Sequence, residues 1–430
     1  MKKLSKTLTV YLFFITATQG ISFSQQTSDQ IYNPVSLSAY LSGVLAGNLG
    51  YIAGKLNVTI AEAELKASKI FPDPEISVAY SNNEDKTLQM GQSVEAGISY
   101  PVSLGNRRRA GIDLARSQYE LSQMMLDVYF RNLRAEAAFI YFEALRNQKI
   151  NLLQKEIYDQ LSQLARTDSI RSVAGEVSSL DAMQSSLEAR SQLSEVYQSL
   201  SDMQNSYLKL RTMQGKKYSD TLDHPSGNFP LQNRDFHLND LIATAVENRS
   251  ELIVAIKNKE VSEKHLKLLK AERAPEISIE AGYSYNTVVR NEIAPAPEYN
   301  GLSAGISLPL KFSGLNKGSL QAADLAVKQS LTLYEETELL ITTEVVQAYN
   351  NFVAQRKKTS HYNPGLIDDA GKILQGRIYS YQHGESGLID VLNAQRTYIE
   401  LRINHLDALF GYTLALIELE RASGIWDITE

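Results

Sequence analysis

The sequence predicts a mixed α/β membrane protein made by duplication, each half holding one β-hairpin of membrane-spanning strands and one long antiparallel pair of helices. Three observations predict it. The chain repeats itself at long range. Four short segments alternate apolar and polar residues. Most of the remainder carries seven-residue apolar spacing with little proline.

The repeat is direct. Pro74-Glu75-Ile76-Ser77-Val78 recurs as Pro275-Glu276-Ile277-Ser278-Ile279. Ala96-Gly97-Ile98-Ser99-Tyr100-Pro101-Val102 recurs as Ala304-Gly305-Ile306-Ser307-Leu308-Pro309-Leu310. Gly175-Glu176 with Leu180-Asp181 recurs as Gly384-Glu385 with Ile389-Asp390. The offsets are 201, 208 and 209 residues, so one surface loop is longer in the second copy. Units this long make a two-fold duplication, not a solenoid. They occupy residues 25–214 and 238–424. Between them, residues 215–237 are rich in Lys, Asp, Pro and Gly and read as a linker; residues 425–430 are a short tail.

Taken in order, residues 1–24 read as an export signal. Lys2, Lys3 and Lys6 supply the positive end, residues 8–15 the apolar core, and Ser22-Phe23-Ser24 a cleavage site before Gln25. A lone membrane anchor is the other reading. Against it, the apolar run is short of the ~20 residues a spanning helix needs.

The hairpins are residues 75–102 and 276–312. Ile76, Val78 and Tyr80 oppose Glu75, Ser77 and Ser81, while Val94, Ile98, Tyr100 and Val102 oppose Glu95, Gly97 and Ser99. In the second copy, Ile277, Ile279 and Tyr283 oppose Glu276, Ser278, Glu280 and Gly282. Leu302, Ile306, Leu308 and Phe312 oppose Ser303, Gly305, Ser307 and Lys311. A strand places successive side chains on opposite faces, and about ten alternating residues span a bilayer when tilted. A half-buried sheet in a soluble domain alternates in the same way; the export signal favours the membrane. Polar joins at 82–92 and 285–301 suit loops outside the cell. Pro74 and Pro275 precede the first strands, and Pro101 and Pro309 are expected to end the second ones.

From Ala110 to Ala174 there is no proline and only Gly111. A helix of that length runs about 90 Å at ~1.5 Å per residue and implies a coiled coil. The return segments agree. Leu193, Leu200 and Tyr207 are seven apart, as are Val196, Met203 and Leu210. Leu392, Ile399 and Leu406 interleave with Ile403, Phe410 and Ile417 in the same way. Asn363-Pro364-Gly365 interrupts the second long helix, which predicts a break with Asn363 as the cap.

Composition excludes much chemistry. Net charge is −6, from 43 basic and 49 acidic residues, so there is no basic field for nucleic acid. The absence of cysteine removes thiolate metal sites, disulfides and a lipidated N-terminal cysteine. No phosphate-cradling loop, Gly-x-Ser-x-Gly or His-Glu-x-x-His occurs, and the six histidines are scattered. No cofactor, metal or catalytic residue is expected, and any transport must be driven by a partner. Four strands cannot close a barrel, and an open edge in lipid leaves backbone groups unpaired. Three copies would supply twelve strands, enough for a pore, whereas two would supply eight and leave it too narrow.

At this point the residues resemble a family, the TolC-like outer-membrane efflux proteins, over nearly the whole mature chain. The strongest stretch runs from Tyr381-x-x-Gly384-Glu385-x-x-Leu388-Ile389-Asp390-Val391-Leu392-Asn393-Ala394-Gln395-Arg396 to Ala415-x-x-Glu418-Leu419-Glu420-Arg421-Ala422-x-Gly424. Ser103-Leu104-Gly105-Asn106-Arg107-Arg108-Arg109-Ala110-Gly111-Ile112 looks most like the heavy-metal cation branch, the cobalt–zinc–cadmium and copper–silver type outer channels. The resemblance implies a homotrimer in the outer membrane, with a twelve-stranded barrel and a helical periplasmic tunnel. It also implies a periplasmic adaptor protein and a proton-driven inner-membrane pump as partners. The chain departs from many metal-branch members in lacking the lipidated cysteine, and from some in carrying Ser386 where they have an arginine.

The candidate site residues fall in three groups. Asp181 and Asp390 are repeat-equivalent and follow the reversals; in a trimer they would ring the tunnel mouth with carboxylates that favour cations. Gln184 and Asn393 lie three residues on, on the same helical face, and Tyr381 joins them as an aperture candidate. Gly175, Glu176, Gly384 and Glu385 form the reversals themselves, where an adaptor would dock. Arg107, Arg108 and Arg109 stand at the strand–helix junction, where basic side chains gain from anionic lipid headgroups. Alternatives are type I protein secretion and, from another class, a periplasmic coiled-coil adaptor. The adaptor predicts one helical hairpin and a long β-rich remainder, where this sequence predicts two hairpins.

Overall fold

The two halves fold as the same series of elements. A computed structural model describes residues 31–219, 221–230, 234–309, 316–362 and 364–426. The expected signal (1–24), the end of the second hairpin (310–312), the Asn363 cap and the last tail residues lie outside the described residues. The first half runs β1 (Ile31–Val35), α1 (Leu37–Gly47), α2 (Leu49–Ser68), β2 (Glu75–Asn82), β3 (Gln92–Ser103), α3 (Arg107–Val173) and α4 (Ser179–Met213). Then come β4 (Thr221–Pro225), α5 (Leu238–Asn248), α6 (Ser250–Ala271), β5 (Glu276–Asn286) and β6 (Tyr299–Ser307). The chain finishes with α7 (Lys317–His361), α8 (Pro364–Gln382) and α9 (Leu388–Ser423).

One difference from the sequence expectation lies in the linker. Residues 215–237 do not merely cross between repeats: β4 pairs in parallel with β1, from Ile31 opposite Thr221 to Val35 opposite Pro225. The hydroxyl of buried Tyr141 pins both, 2.9 Å from the Val35 carbonyl and 2.6 Å from that of Ser226. Strands of five residues containing Asn, Pro, Asp and His carry no alternation to betray them.

The hairpins merge into one four-stranded antiparallel sheet, ordered β2-β3-β5-β6. Here β6 begins three residues before the expected 302 and ends at Ser307. Asn300 sits among apolar residues and breaks the alternation, yet it still pairs with Tyr285. Pro101 also lies inside β3, not at its end. Its missing N–H is harmless there, because β2 stops at Glu75, opposite Ser99, and Pro101 has a ladder partner only on β5.

The helix α3 is 67 residues long, about 100 Å at ~1.5 Å per residue. It packs against α2, α4, α6 and α9. The heptad residues Val196, Met203 and Leu210 are buried, as are Leu392 and Ile417. α7 ends at His361 and α8 starts at Pro364, whereas α3 continues through the equivalent stretch.

Both tip reversals end their helix in the same way. Gly175 and Gly384 take φ of +78° and +76°. The amides of Glu176 and Glu385 then reach back to the carbonyls of Arg171 and Ser380. This is the left-handed glycine termination that a Cβ would strain. Farther up, Gly47 and Gly215 touch through their backbones: a Cβ on Gly215 would lie 2.1 Å from the Gly47 carbonyl oxygen. The end of α4 is thereby seated on the α1–α2 corner.

Candidate functional site

Three regions collect the expected site residues: the sheet, its junction with α3, and the helical tip.

Register gathers the isoleucines, valines and Leu302 of the four strands on one side of the sheet. Ile76 lies opposite Ile98, which lies opposite Ala281; Tyr100, Ile279 and Ile306 form another such row. The opposite side carries Ser77, Gly97, Gly282 and Ser303 in one row, and Glu75, Ser99, Glu280 and Gly305 in the next. Ile76, Val78, Ile279, Leu302 and Ile306 are all exposed on the single chain. Among the described residues nothing covers these side chains, so the sheet presents a bare apolar face. No helix among the described residues is long and apolar enough to cross a membrane.

At the junction, the three arginines divide. Arg107 pairs with Glu276 at 2.8 Å and with Glu272 at 3.7 Å, tying the start of α3 to the start of β5. Arg108 donates to the Lys69 carbonyl and lies 3.9 Å from the centre of the Phe71 ring. Arg109 is exposed.

At the tip, Ser178 caps α4. Its hydroxyl accepts from the Asp181 amide at 3.1 Å and donates to the Asp181 carboxylate at 2.9 Å. Asp181 is thus half-buried and engaged in a capping exchange, and an acid in a first helical turn also suits the dipole. Its repeat partner Asp390 is half-buried too, but Gly387 stands where Ser178 would be and no side chain caps α9. Gln184 does not serve Asp181. Its amide donates to Glu188 at 3.0 Å, and Arg396 donates to the same Glu188 oxygen at 2.8 Å. Asn393 is exposed, with its carbonyl taken by Thr397. Glu176 is held by Arg171 at 3.2 Å, while Glu385 is exposed. The Ser386 hydroxyl is buried with no hydrogen-bond partner.

Tyr381 meets a residue that sequence reasoning missed. Its hydroxyl donates to Asp168 Oδ1 at 2.9 Å, joining α8 to α3. Asp168 is wholly buried and its Oδ2 has no partner. Burial pushes the carboxyl above its ordinary range, against the lowering effect of Tyr381, Ser185 and Arg171; Asp181 adds to the rise. Burial and the Asp168 charge raise the Tyr381 phenol as well, so it stays a donor. The Arg171 guanidinium lies 5.5 Å from the Tyr381 ring and also reaches the Gln382 carbonyl. Leu164, Leu374, Ile378 and Val391 line the same spot. A mid-helix acid gives no sequence signal of burial, and the position equivalent to Asp168 in the second copy is Arg377. No group of three or more His, Cys, Asp or Glu that could hold a metal ion occurs among the described residues.

Comparison with known proteins agrees with this geometry. The family model described as outer membrane efflux protein matches residues 50–216 and again 241–425. The chain is 22% identical over 395 residues to the cobalt-zinc-cadmium resistance protein CzcC of Cupriavidus metallidurans, covering 91% of this chain and 90% of that one. It is 23% identical over 384 residues to outer membrane protein TolC of Vibrio cholerae, covering 87% and 86%. A crystal structure of CusC superposes with a TM-score of 0.75 at 18% identity, over 94% of this chain and 96% of that one.

Proposed function

We propose that this chain, which belongs to the outer membrane efflux protein family, is the passive exit duct of a three-part efflux system. An outer membrane efflux protein is a conduit and not an enzyme. In our reading three copies close a barrel, each giving the sheet β2-β3-β5-β6, with the apolar face in lipid and the Ser, Gly and Glu face lining water. The helices continue that barrel as a tunnel into the periplasm. An adaptor protein docks on the reversals at Gly175-Glu176 and Gly384-Glu385, and a proton-driven inner-membrane pump supplies the substrate. Heavy-metal cations are the substrate class we favour, by likeness to the cobalt-zinc-cadmium resistance protein and because carboxylates at the tip suit cations.

The single observation that carries this reading is the two-faced sheet. Its bare apolar side is costly in water, and its two outer strands, β2 and β6, have unpaired edges that lipid cannot satisfy. Both costs vanish when copies join edge to edge in a bilayer.

The test is direct. The mature chain should fractionate with outer membrane, run as a trimer in mild detergent and conduct ions in planar bilayers. A soluble periplasmic monomer would overturn the reading.

A further inference from the structure

We propose, resting on the lipid-facing reading of the sheet, that Lys69, Ile70, Phe71, Arg108 and Arg109 hold the phosphate headgroup of an anionic phospholipid at the base of the barrel. Ile70 and Phe71 lie between the end of α2 and the start of β2, 70% and 62% exposed. Two large apolar side chains thus stand bare in the segment that leads into β2, the strand whose apolar face starts at Ile76. Arg108 is fixed beside them by the Phe71 ring and the Lys69 carbonyl. A guanidinium carries five donors, so the rest of its fork is free for a phosphate, which it can meet with two parallel hydrogen bonds. Arg109 and Lys69 are exposed and add charge at the same level.

The duplicated fold does not require this cluster. Where the first half has Ile70 and Phe71, the second has Ala271 and Glu272, and Glu272 is spent on Arg107. An anchor thus exists once per chain, built from an apolar pair that would enter the acyl region and basic groups that would stay with the headgroups. The acids near the cluster are Asp73 and Glu75, both exposed, with Glu75 on the polar face of the sheet, and Asp113, one helical turn beyond Arg109 and bonded to Lys267 at 3.1 Å. Basic residues at an anionic membrane surface gain affinity, roughly five-fold for each charge.

The experiment reconstitutes the full chain in phosphatidylcholine vesicles with and without phosphatidylglycerol, and reads co-purifying lipid by native mass spectrometry. Wild type should retain phosphatidylglycerol preferentially. Arg108→Ala should lose most of that preference, and Arg109→Glu should reduce it at least five-fold. Arg109→Glu also guards against misfolding, since Arg109 is exposed at the helix surface. Phe71→Ser should shorten retention of the bound lipid while leaving the headgroup preference intact. Equal retention of both lipids by wild type, or an unchanged preference in both arginine variants, would overturn the anchor. So would displacement by millimolar inorganic phosphate, which would mark a site for the free ion. Wild type that fails to enter either vesicle would instead bring down the reading of the sheet itself.

Discussion

Tyr381 donates its hydroxyl to Asp168 across 2.9 Å, linking α8 and α3 between residues 213 apart in sequence, near the helical reversals. Neither residue has an equivalent in the other repeat, so the link is made once per chain. It is buried, and half of the acceptor carboxylate has no other donor. A latch of this kind is expensive to break from one side only, because the remaining group stays desolvated.

The first prediction follows. Tyr381→Phe should loosen the tip by about 1–3 kcal/mol, a shift of roughly 5- to 150-fold in its opening equilibrium. Single-channel recording should show a higher open fraction with normal trimer yield. An unchanged open fraction would mean that the bond only packs the helices.

The second concerns pH. Burial raises the Asp168 carboxyl above its reference value of 3.8. A raised acid favours the closed tip in its protonated form, so that contribution is full below the ordinary carboxylate range. It is lost as pH climbs through the raised value. Conductance should therefore increase with pH across that window, and Asp168→Asn should flatten the curve. A curve of the same shape in Asp168→Asn would place the titrating group elsewhere.

The third concerns the sheet. Ile279 and Ile306 face each other on the apolar side, and Ser278 and Ser307 do so on the polar side. Lysine at Ile279 or Ile306 should cost roughly 2–4 kcal/mol at mid-bilayer and impair assembly, while lysine at Ser278 or Ser307 should be tolerated. Heat-resistant trimer on gels reads the difference, and equal tolerance on both sides would remove the sheet from lipid.

The fourth concerns the two repeat-related carboxylates beside the reversals. Replacing Asp181 and Asp390 together by Asn should weaken cation selectivity and block by multivalent cations in planar bilayers. Asn can still accept from Ser178, so the α4 cap and the trimer yield should survive. Wild-type selectivity in the double variant would leave Asp181 as the partner of the Ser178 cap and Asp390 as an ordinary first-turn acid.

Much of this was legible because membrane strands and long helices write their periods openly. Ile76, Ile98, Ile279 and Ile306 declared one face before any pairing was known, and Asn363-Pro364 declared the break. What escaped depends on contacts distant in sequence. Asp168 reads as one more polar residue until α8 lies across it. β1 and β4 are strands only because they find each other and Tyr141. Arg107 looked like its two neighbours, and only the fold hands it to Glu272 and Glu276.

The seam between β3 and β5 is where the two halves of the chain already meet, and it has the character of a memory. It joins the second strand of one hairpin to the first strand of the next, with Ser99 opposite Glu280. Carried through the repeat offsets, the same joint between neighbouring molecules would set Ser307 of β6 opposite Ala79 of β2 in an adjacent copy, both on polar faces. The chain contains no cysteine, so Ala79→Cys with Ser307→Cys can be tested without background. Directly opposed Cα atoms fall within the roughly 4.4–6.8 Å that a disulfide spans. Cross-linked trimers from that pair, and not from a pair shifted by two residues, would mean that an ancestral half-length molecule closed its ring with six identical joints. Gene fusion would then have brought half of those joints inside one chain and left the other half between chains.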